Sequence, residues 1–261
     1  MNLSHAFILG VVEGLTEFLP VSSTGHLILT ARLLGLSQTE FLKSFEITIQ
    51  LGAILAVVAF YARSLLVQVD VLKRVLAAFV PTGIAGLVLY KIIKKFLLGS
   101  PDVVVASLFF GGLFLIIFEK FYRETPGGKK EDLSRLSYRD AVLIGLFQAL
   151  AMIPGVSRSA ATIVGGLVLG VRRKTIVEFS FLLAVPTMTA ASAFDLLKSA
   201  GGFSVEAGQL SFLAMGFVTA FVVAMASIKF FLRFIQRNNF TVFGFYRILA
   251  AGIFFFLGLG E

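Results

Sequence analysis

Six stretches of mostly apolar residues constrain the fold of this chain more than any other feature of its sequence. A helix that crosses a bilayer needs about 20 such residues. Hydrophobic residues make up 57% of the 261 residues and charged residues only 15%, against about 25% charged in a soluble domain. The sequence therefore predicts an all-α polytopic membrane protein. The predicted spans are Phe45 to Ala62, Val75 to Ile93, Val103 to Phe121, Phe179 to Leu197, Leu210 to Phe231 and Val242 to Leu259.

Two further apolar regions are interrupted, and their arms are too short to cross a bilayer singly. Residues 5–35 are broken between Pro20 and Gly25, and residues 141–171 between Pro154 and Ser159. Irregular backbone at membrane depth is tolerated only where protein or a polar cavity surrounds it. We interpret each region as a re-entrant helix-turn-helix hairpin. The alternative is a pair of long spanning helices kinked at proline.

The order of one hairpin and three spans occurs twice, which predicts two structural repeats. Residues 1–121 form the first repeat, residues 122–140 a connecting loop and residues 141–261 the second repeat. Aligning the two hairpins places Glu13 on Gln148. An odd number of spans per repeat inverts the second copy, and inverted repeats with broken helices place polar sites near the bilayer midplane.

The distribution of Lys and Arg predicts the orientation of the chain. Most of these residues fall on the side that carries the loop 122–140, and the positive-inside rule makes that side cytoplasmic. The hairpin 5–35 then opens to the outer face. The net charge of +8 lies mainly between the apolar segments, so we expect contact with membrane lipids and no nucleic acid. The chain has no cysteine, which excludes thiol catalysis.

Two carboxylates in the first broken region are candidates for metal binding. Glu13 and Glu17 share one helix face because four positions separate them. Ionisable residues in apolar sequence are costly and indicate function. A hard divalent cation such as Mg²⁺ or Ca²⁺ would relieve the repulsion between them. The alternative is that one caps a helix and the other faces water.

A hydroxyl-rich turn follows these carboxylates and opens a helix. Backbone N–H groups at a helix N-terminus favour an anion such as phosphate, although one hydroxyl could be only a helix cap. His26 is a candidate general acid or base beside the candidate nucleophile Ser23. The remaining candidate phosphate-binding residues of this turn are Ser22, Thr24 and Gly25.

The second broken region carries a similar turn with an arginine inside it. The planar guanidinium of Arg158 suits bidentate phosphate contact, whereas an arginine nearer the surface would extend to the lipid headgroups. Ser157, Ser159 and Thr162 are candidate phosphate ligands around it. Carboxylates, hydroxyls, a histidine and an arginine are the groups that phosphoryl transfer needs. Their place in a membrane protein predicts a lipid phosphate as substrate.

The sequence resembles the undecaprenyl-diphosphate phosphatase family, also called bacitracin-resistance proteins. EGLTEFLPVSSTGH (Glu13 to His26) and PGVSRSAAT (Pro154 to Thr162) carry the resemblance, which extends over essentially the whole chain. It implies hydrolysis of a C55 isoprenyl diphosphate with divalent-cation dependence, at the outer face of the bacterial cytoplasmic (inner) membrane. This reaction recycles the lipid carrier of peptidoglycan synthesis. The motifs leave open a homodimer, the native metal and the lipid chain length.

The combined hypothesis assigns a role to each group. Glu13 and Glu17 hold the cation, and Arg158 with the turn amides holds the terminal phosphate. Ser23 attacks phosphorus or positions a water, and His26 or Glu17 takes the proton. The alternative functions are a secondary transporter or a lipid flippase. A relative of the acid phosphatases is excluded, because that superfamily needs a second histidine and none follows His26.

Overall fold

The computed structural model describes residues 1–96, 100–123, 132–199 and 208–258, and helices dominate this part of the chain. Short 3₁₀ turns at Leu133–Arg135 and Leu150–Met152 accompany the helices. The α-helices are α1 Leu3–Thr16, α2 Ser23–Leu33, α3 Glu40–Val67, α4 Val69–Phe96, α5 Pro101–Phe121, α6 Tyr138–Ala149, α7 Arg158–Val168, α8 Arg173–Ser199, α9 Leu210–Phe234 and α10 Thr241–Phe256.

Five of these helices are long and apolar enough to cross a membrane, which confirms a helical polytopic protein. The sixth predicted span, Val242 to Leu259, corresponds to α10, which has only 16 residues. At 1.5 Å per residue α10 is about 24 Å long, less than the roughly 30 Å of hydrocarbon. Leu259 lies outside the described residues. The five qualifying segments are Glu40–Ala62, Val69–Leu89, Pro101–Phe121, Arg173–Asp195 and Leu210–Phe234.

Each interrupted region forms two short helices around a turn, as the sequence predicts. In the first, α1 ends at Thr16, and Pro20 lies in the turn before α2 begins. Proline has no N–H to continue a helix. α1 and α2 contribute to one buried apolar cluster that includes Leu9 and Leu27. The two short helices and their turn form a helical hairpin.

The second hairpin begins earlier than the sequence predicts. α6 starts at Tyr138, inside the predicted loop 122–140, because Ser137 and Asp140 form a capping box that satisfies two backbone donors. After the 3₁₀ turn, Gly155 adopts a φ of 89°, a conformation that favours glycine. The Ser157 hydroxyl then caps α7 by accepting from Ala160 N at 3.2 Å. Residues 124–131 of the predicted loop lie outside the described part.

Each hairpin packs against a long helix that is distant in sequence. α1 lies along α9, and α6 lies along α4. Glycines of the hairpins lie at these contacts and allow the helices to approach closely. A Cβ at Gly10 of α1 would lie 2.7 Å from the Gly216 carbonyl oxygen of α9, and one at Gly145 of α6 would lie 2.0 Å from the Ala78 carbonyl oxygen of α4. Close contact between small residues is the usual way in which membrane helices associate. This packing brings the turns of both hairpins to one region.

Candidate active site

A cavity of about 250 Å³ lies between the turns of the two hairpins. α3 contributes Gln50 to its wall, and α8 contributes Met188 and Ala191. Both α2 and α7 begin at this cavity, so the positive ends of two helix dipoles meet there. An anion would be favoured at this position. Six of the predicted site residues line the cavity: Glu17, Ser22, Ser23, Thr24, Ser157 and Arg158.

An ion pair between Arg158 and Glu17 crosses the cavity. The distance between Arg158 Nη2 and Glu17 Oε1 is 2.7 Å, and the side chains are 13% and 5% exposed. Arg158 Nη1 donates to the Ser180 carbonyl oxygen at 2.8 Å, while Nε is buried and has no partner among the described residues. The guanidinium is thus held by Glu17 and by the Ser180 carbonyl oxygen, and its Nη2 also contacts Met188 Sδ at 3.7 Å.

The second oxygen of the Glu17 carboxylate accepts a hydrogen bond from the Ser23 hydroxyl. Glu17 therefore bridges the predicted nucleophile and the predicted phosphate ligand, with one oxygen for each. A hydroxyl bonded to a carboxylate can lose its proton to it as the oxygen attacks. The three side chains form a connected unit at the cavity wall.

His26 lies outside the cavity lining, and both of its ring nitrogens are engaged. Nδ1 is 2.7 Å from the Ser22 carbonyl oxygen, and Nε2 is 2.8 Å from the Tyr246 hydroxyl. Because a carbonyl only accepts, Nδ1 carries the proton and Nε2 accepts from Tyr246 in the neutral ring. Ser22 has a φ of 72°, which is uncommon outside glycine. The geometry shows His26 holding this strained turn rather than facing Ser23.

Glu13 is fully buried on α1, one helical turn before Glu17. Neither of its carboxylate oxygens accepts a hydrogen bond within the described residues. Glu17, Glu46 of α3 and the guanidinium of Arg158 all interact with it electrostatically, and Glu46 has one buried oxygen without a hydrogen-bond partner in the described part of the chain. A buried, unpartnered carboxylate is costly unless a cation or a proton meets it. The carboxylate oxygens of Glu13 and Glu17 are the ligand type that Mg²⁺ and Ca²⁺ prefer, so these residues fit the predicted cation.

Three other predicted phosphate ligands lie outside the cavity lining. The Ser159 hydroxyl donates to the Phe18 carbonyl oxygen at 3.0 Å, which ties the second hairpin to the first turn. The Thr162 hydroxyl lies 2.6 Å from that of Ser180. Gly25 is buried, and a Cβ there would meet Val104 Cγ1 at 3.1 Å. In the structure these residues fix the helices behind the site.

Gln148, which aligns with Glu13, has a structural environment of its own. Its Nε2 donates to the hydroxyls of Thr82 and Thr187, both at 3.0 Å. It is almost fully buried and does not line the cavity. The second hairpin therefore lacks the carboxylate of the first at this position.

Arg247, an almost fully buried residue of α10, belongs to neither sequence motif and was not predicted as a site residue. Its guanidinium donates to the carbonyl oxygens of Pro20 and Gly155, one in each turn. One signal was available, because Arg247 is the only arginine inside a predicted span. An ionisable residue at such a position indicates function.

Comparison with known proteins identifies the family to which this site belongs. The family described as bacitracin resistance protein BacA matches residues 6–253. The chain belongs to the BacA family. The resemblance suggested by the two motifs is thus confirmed, and the match includes both turns of the cavity.

Curated relatives are similar over nearly the whole chain. A protein of Aquifex aeolicus (strain VF5) is 50% identical over 97% of this chain and 98% of its own length. A protein of Persephonella marina is 54% identical over 97% and 98%, and one of Wolinella succinogenes is 51% identical over 98% of both. All three are named undecaprenyl-diphosphatase.

Proposed function

We propose that this chain is a membrane phosphatase that hydrolyses undecaprenyl diphosphate to undecaprenyl phosphate and inorganic phosphate. The observation that carries this proposal is the connected unit of Ser23, Glu17 and Arg158 at a cavity where two helices begin. The relatives' names supply the substrate. Recycling of the lipid carrier for peptidoglycan, and with it bacitracin resistance, follows from this reaction.

Arg158 and the N-termini of α2 and α7 bind the terminal phosphate in this mechanism. The Arg158 guanidinium at the cavity wall and the backbone N–H groups at the two helix starts are the donors for its oxygens. Fixed donors stabilise the negative charge that spreads over the phosphoryl oxygens in the transition state. Ser22 and Thr24 add hydroxyls at the same wall.

Ser23 attacks the terminal phosphorus, and Glu17 accepts the proton of its hydroxyl. The anhydride bond to the bridging oxygen breaks, and undecaprenyl phosphate leaves with that oxygen. The proton on Glu17 passes to the departing undecaprenyl phosphate, which leaves Glu17 ionised. Water then attacks the phosphoserine and gives a proton to Glu17, the bond between phosphorus and the Ser23 oxygen breaks, inorganic phosphate is released, and Glu17 returns the proton to the Ser23 oxygen. The geometry favours Glu17 over His26 as base, because Glu17 contacts Ser23 and His26 contacts Ser22.

A divalent cation would be held by Glu13 and Glu17. When bound, it supplies charge neutralisation for the diphosphate. The protein's own contribution is a pair of buried carboxylates, Glu13 on α1 and Glu17 directly after it, and the Glu13 oxygens have no hydrogen-bond partner among the described residues.

The proposed architecture consists of two inverted repeats with re-entrant hairpins. In its support, α1 of the first repeat packs on α9 of the second, and α6 of the second packs on α4 of the first. The first helix of each hairpin thus packs on a long helix of the other repeat, α9 in one case and α4 in the other. Such an arrangement places a site at the repeat interface, which is the position of the cavity.

We place the chain in the bacterial cytoplasmic membrane with the site open to the outer face. The positive-inside rule gives this orientation, and helix ends that the charge distribution assigns to the cytoplasm contact one another in the structure, which supports their placement on one side of the membrane. Arg74 near the start of α4 bonds to the Leu136 carbonyl oxygen before α6. Arg173 at the start of α8 pairs with Glu119 at the end of α5.

Phosphate release from undecaprenyl diphosphate in detergent tests the proposal. We expect metal-dependent release by the wild type and loss of at least about 100-fold in Arg158→Ala, since removal of one charged transition-state contact has this size. Glu40→Gln, an exposed change on α3, is the control and keeps full activity. A well-folded wild type that releases no phosphate with any added cation would refute hydrolysis and leave transport of a lipid phosphate as the function.

A further inference from the structure

Arg247 lies where α10, α5 and the turns of both hairpins meet. Its side chain is almost completely buried, with 1% of the residue exposed. The guanidinium donates to Pro20 O at 3.3 Å and to Gly155 O at 2.9 Å. It also donates to Ser107 O at 2.8 Å and to Leu108 O at 3.4 Å, both on α5. One side chain thus links three separate segments.

The acceptors of Arg247 are all backbone carbonyls, and no carboxylate of the described residues pairs with it. A buried cation is costly unless hydrogen bonds compensate its charge. Only a guanidinium presents several donors in a rigid plane, which allows it to reach carbonyls on different sides at once. A lysine has a single nitrogen and cannot occupy all four positions.

The neighbouring glycines make room for this contact. A Cβ at Gly111 of α5 would lie 2.2 Å from Arg247 Nη2. In the second turn, Gly155 has a φ of 89°, and a Cβ there would lie 2.7 Å from the Val104 carbonyl oxygen. Gly111 therefore leaves space for the guanidinium, and Gly155 allows the second turn to lie directly against α5.

We propose that Arg247 is the positioning residue that sets the two turns in register against each other. Pro20 lies between Glu17 and Ser23, and Gly155 lies just before Arg158. Fixing the carbonyls of Pro20 and Gly155 to one rigid group fixes the distance between these site residues. Arg247 does not line the cavity, so it acts through the turns and does not contact the substrate. The catalytic part of this inference rests on the proposed function.

Two readouts test the inference, and one of them is independent of activity. The chain contains no cysteine, so Leu33→Cys and Leu146→Cys introduce the only two labelling sites, one on each hairpin. Both leucines are exposed, at 57% and 51%. Pulsed EPR between spin labels at these positions then measures the distance distribution between the hairpins. Phosphate release gives kcat and KM for the same variants.

In Arg247→Met we expect a broadened or shifted distance distribution and a kcat about 100-fold lower, because misplacement by about 1 Å has effects of this size. KM should stay within about threefold, since no contact with the substrate is lost. Arg173→Met is the matched control. It removes another buried arginine, one that pairs with Glu119 outside the cavity lining, and should leave both the distribution and kcat unchanged.

A monodisperse Arg247→Met protein with wild-type distances and kcat would overturn the inference. If the wild type releases no phosphate, the proposed function fails, and the distance distribution alone decides whether Arg247 sets the register. If Arg247→Met does not fold, Gly111→Ala is the variant to measure. The Cβ of the new alanine displaces the Arg247 guanidinium but leaves the arginine in the chain. Wild-type distances in folded Gly111→Ala would equally refute the role of Arg247.

Discussion

Arg158 and Glu17 form an ion pair at 2.7 Å although 141 positions separate them in the chain. The pair joins the turn of one hairpin to that of the other, and Glu17 also accepts from Ser23. Both residues are largely buried, so each charge depends on the other for compensation. The site is therefore sensitive to any change that neutralises one partner.

Replacing Glu17 by Gln should lower kcat about 10³-fold, the usual contribution of a general base. The amide keeps the shape of the side chain but cannot accept the Ser23 proton, and it leaves Arg158 without its counter-charge. Phosphate release from undecaprenyl diphosphate measures the effect. Glu46→Gln, on the neighbouring helix α3, is the comparison and should lose much less, because Glu46 does not line the cavity. Equal losses in the two variants would contradict the assignment of Glu17 as base.

Ser23→Ala should reduce phosphate release about 10⁴-fold or more, since loss of a nucleophile has effects of this order. Acid quenching of the wild type with labelled substrate should also trap phosphoserine at Ser23. Thr24→Val removes a neighbouring hydroxyl from the same wall and should cost only about tenfold. Substantial release by Ser23→Ala would exclude Ser23 as nucleophile and assign the attack to water.

Removal of divalent cations by EDTA should abolish phosphate release, and added Mg²⁺ or Ca²⁺ should restore it. Glu13→Gln should raise the cation concentration needed for half-maximal rate about tenfold or more, because it replaces a buried carboxylate whose oxygens have no hydrogen-bond partner among the described residues. Binding of Mn²⁺, a cation that also suits carboxylates, can be followed by EPR without turnover. Unchanged cation dependence in Glu13→Gln would remove Glu13 from the metal site.

The ion pair of Glu119 and Arg173 should stabilise the fold without affecting the chemistry. Both residues are buried, and Glu119 Oε1 also accepts from Phe240 N at 3.0 Å. Glu119→Gln should therefore cost about 3 kcal/mol of unfolding free energy, or roughly 6–12 °C in Tm. Thermal unfolding in detergent measures this change. Glu40→Gln breaks only an exposed pair and should shift Tm by about 1–2 °C. A large loss of activity at 25 °C in folded Glu119→Gln would contradict the prediction that this ion pair stabilises the fold without affecting catalysis.

The sequence predicted the elements of the fold better than their ends. Hydropathy identified the five long helices, and Pro20 and Gly155 marked the two breaks, because both residue types interrupt regular helices. The start of α6 was missed since its first turn is polar and depends on the Ser137 cap. The length of α10 was overestimated because the apolar sequence continues beyond Phe256.

Within the site, the sequence indicated which residue types converge but not which side chains face the cavity. Glu17, Ser23 and Arg158 meet there, whereas His26 turns back to Ser22, the residue that precedes its own helix. Ser159 satisfies a carbonyl of the other hairpin. The role of Arg247 depends on carbonyls that only the folded chain brings together, and no short motif contains such information.

The packing of α1 against α9 has a consequence for biosynthesis. α1 carries Glu13, and the helix against which α1 packs most extensively, α9, is translated long afterwards. Until Leu210–Phe234 has been inserted, the hairpin lacks its largest packing partner and has mainly α3 to pack on. We therefore expect the first hairpin to remain outside the hydrocarbon until late in synthesis. An incompletely synthesised chain then has no complete active site.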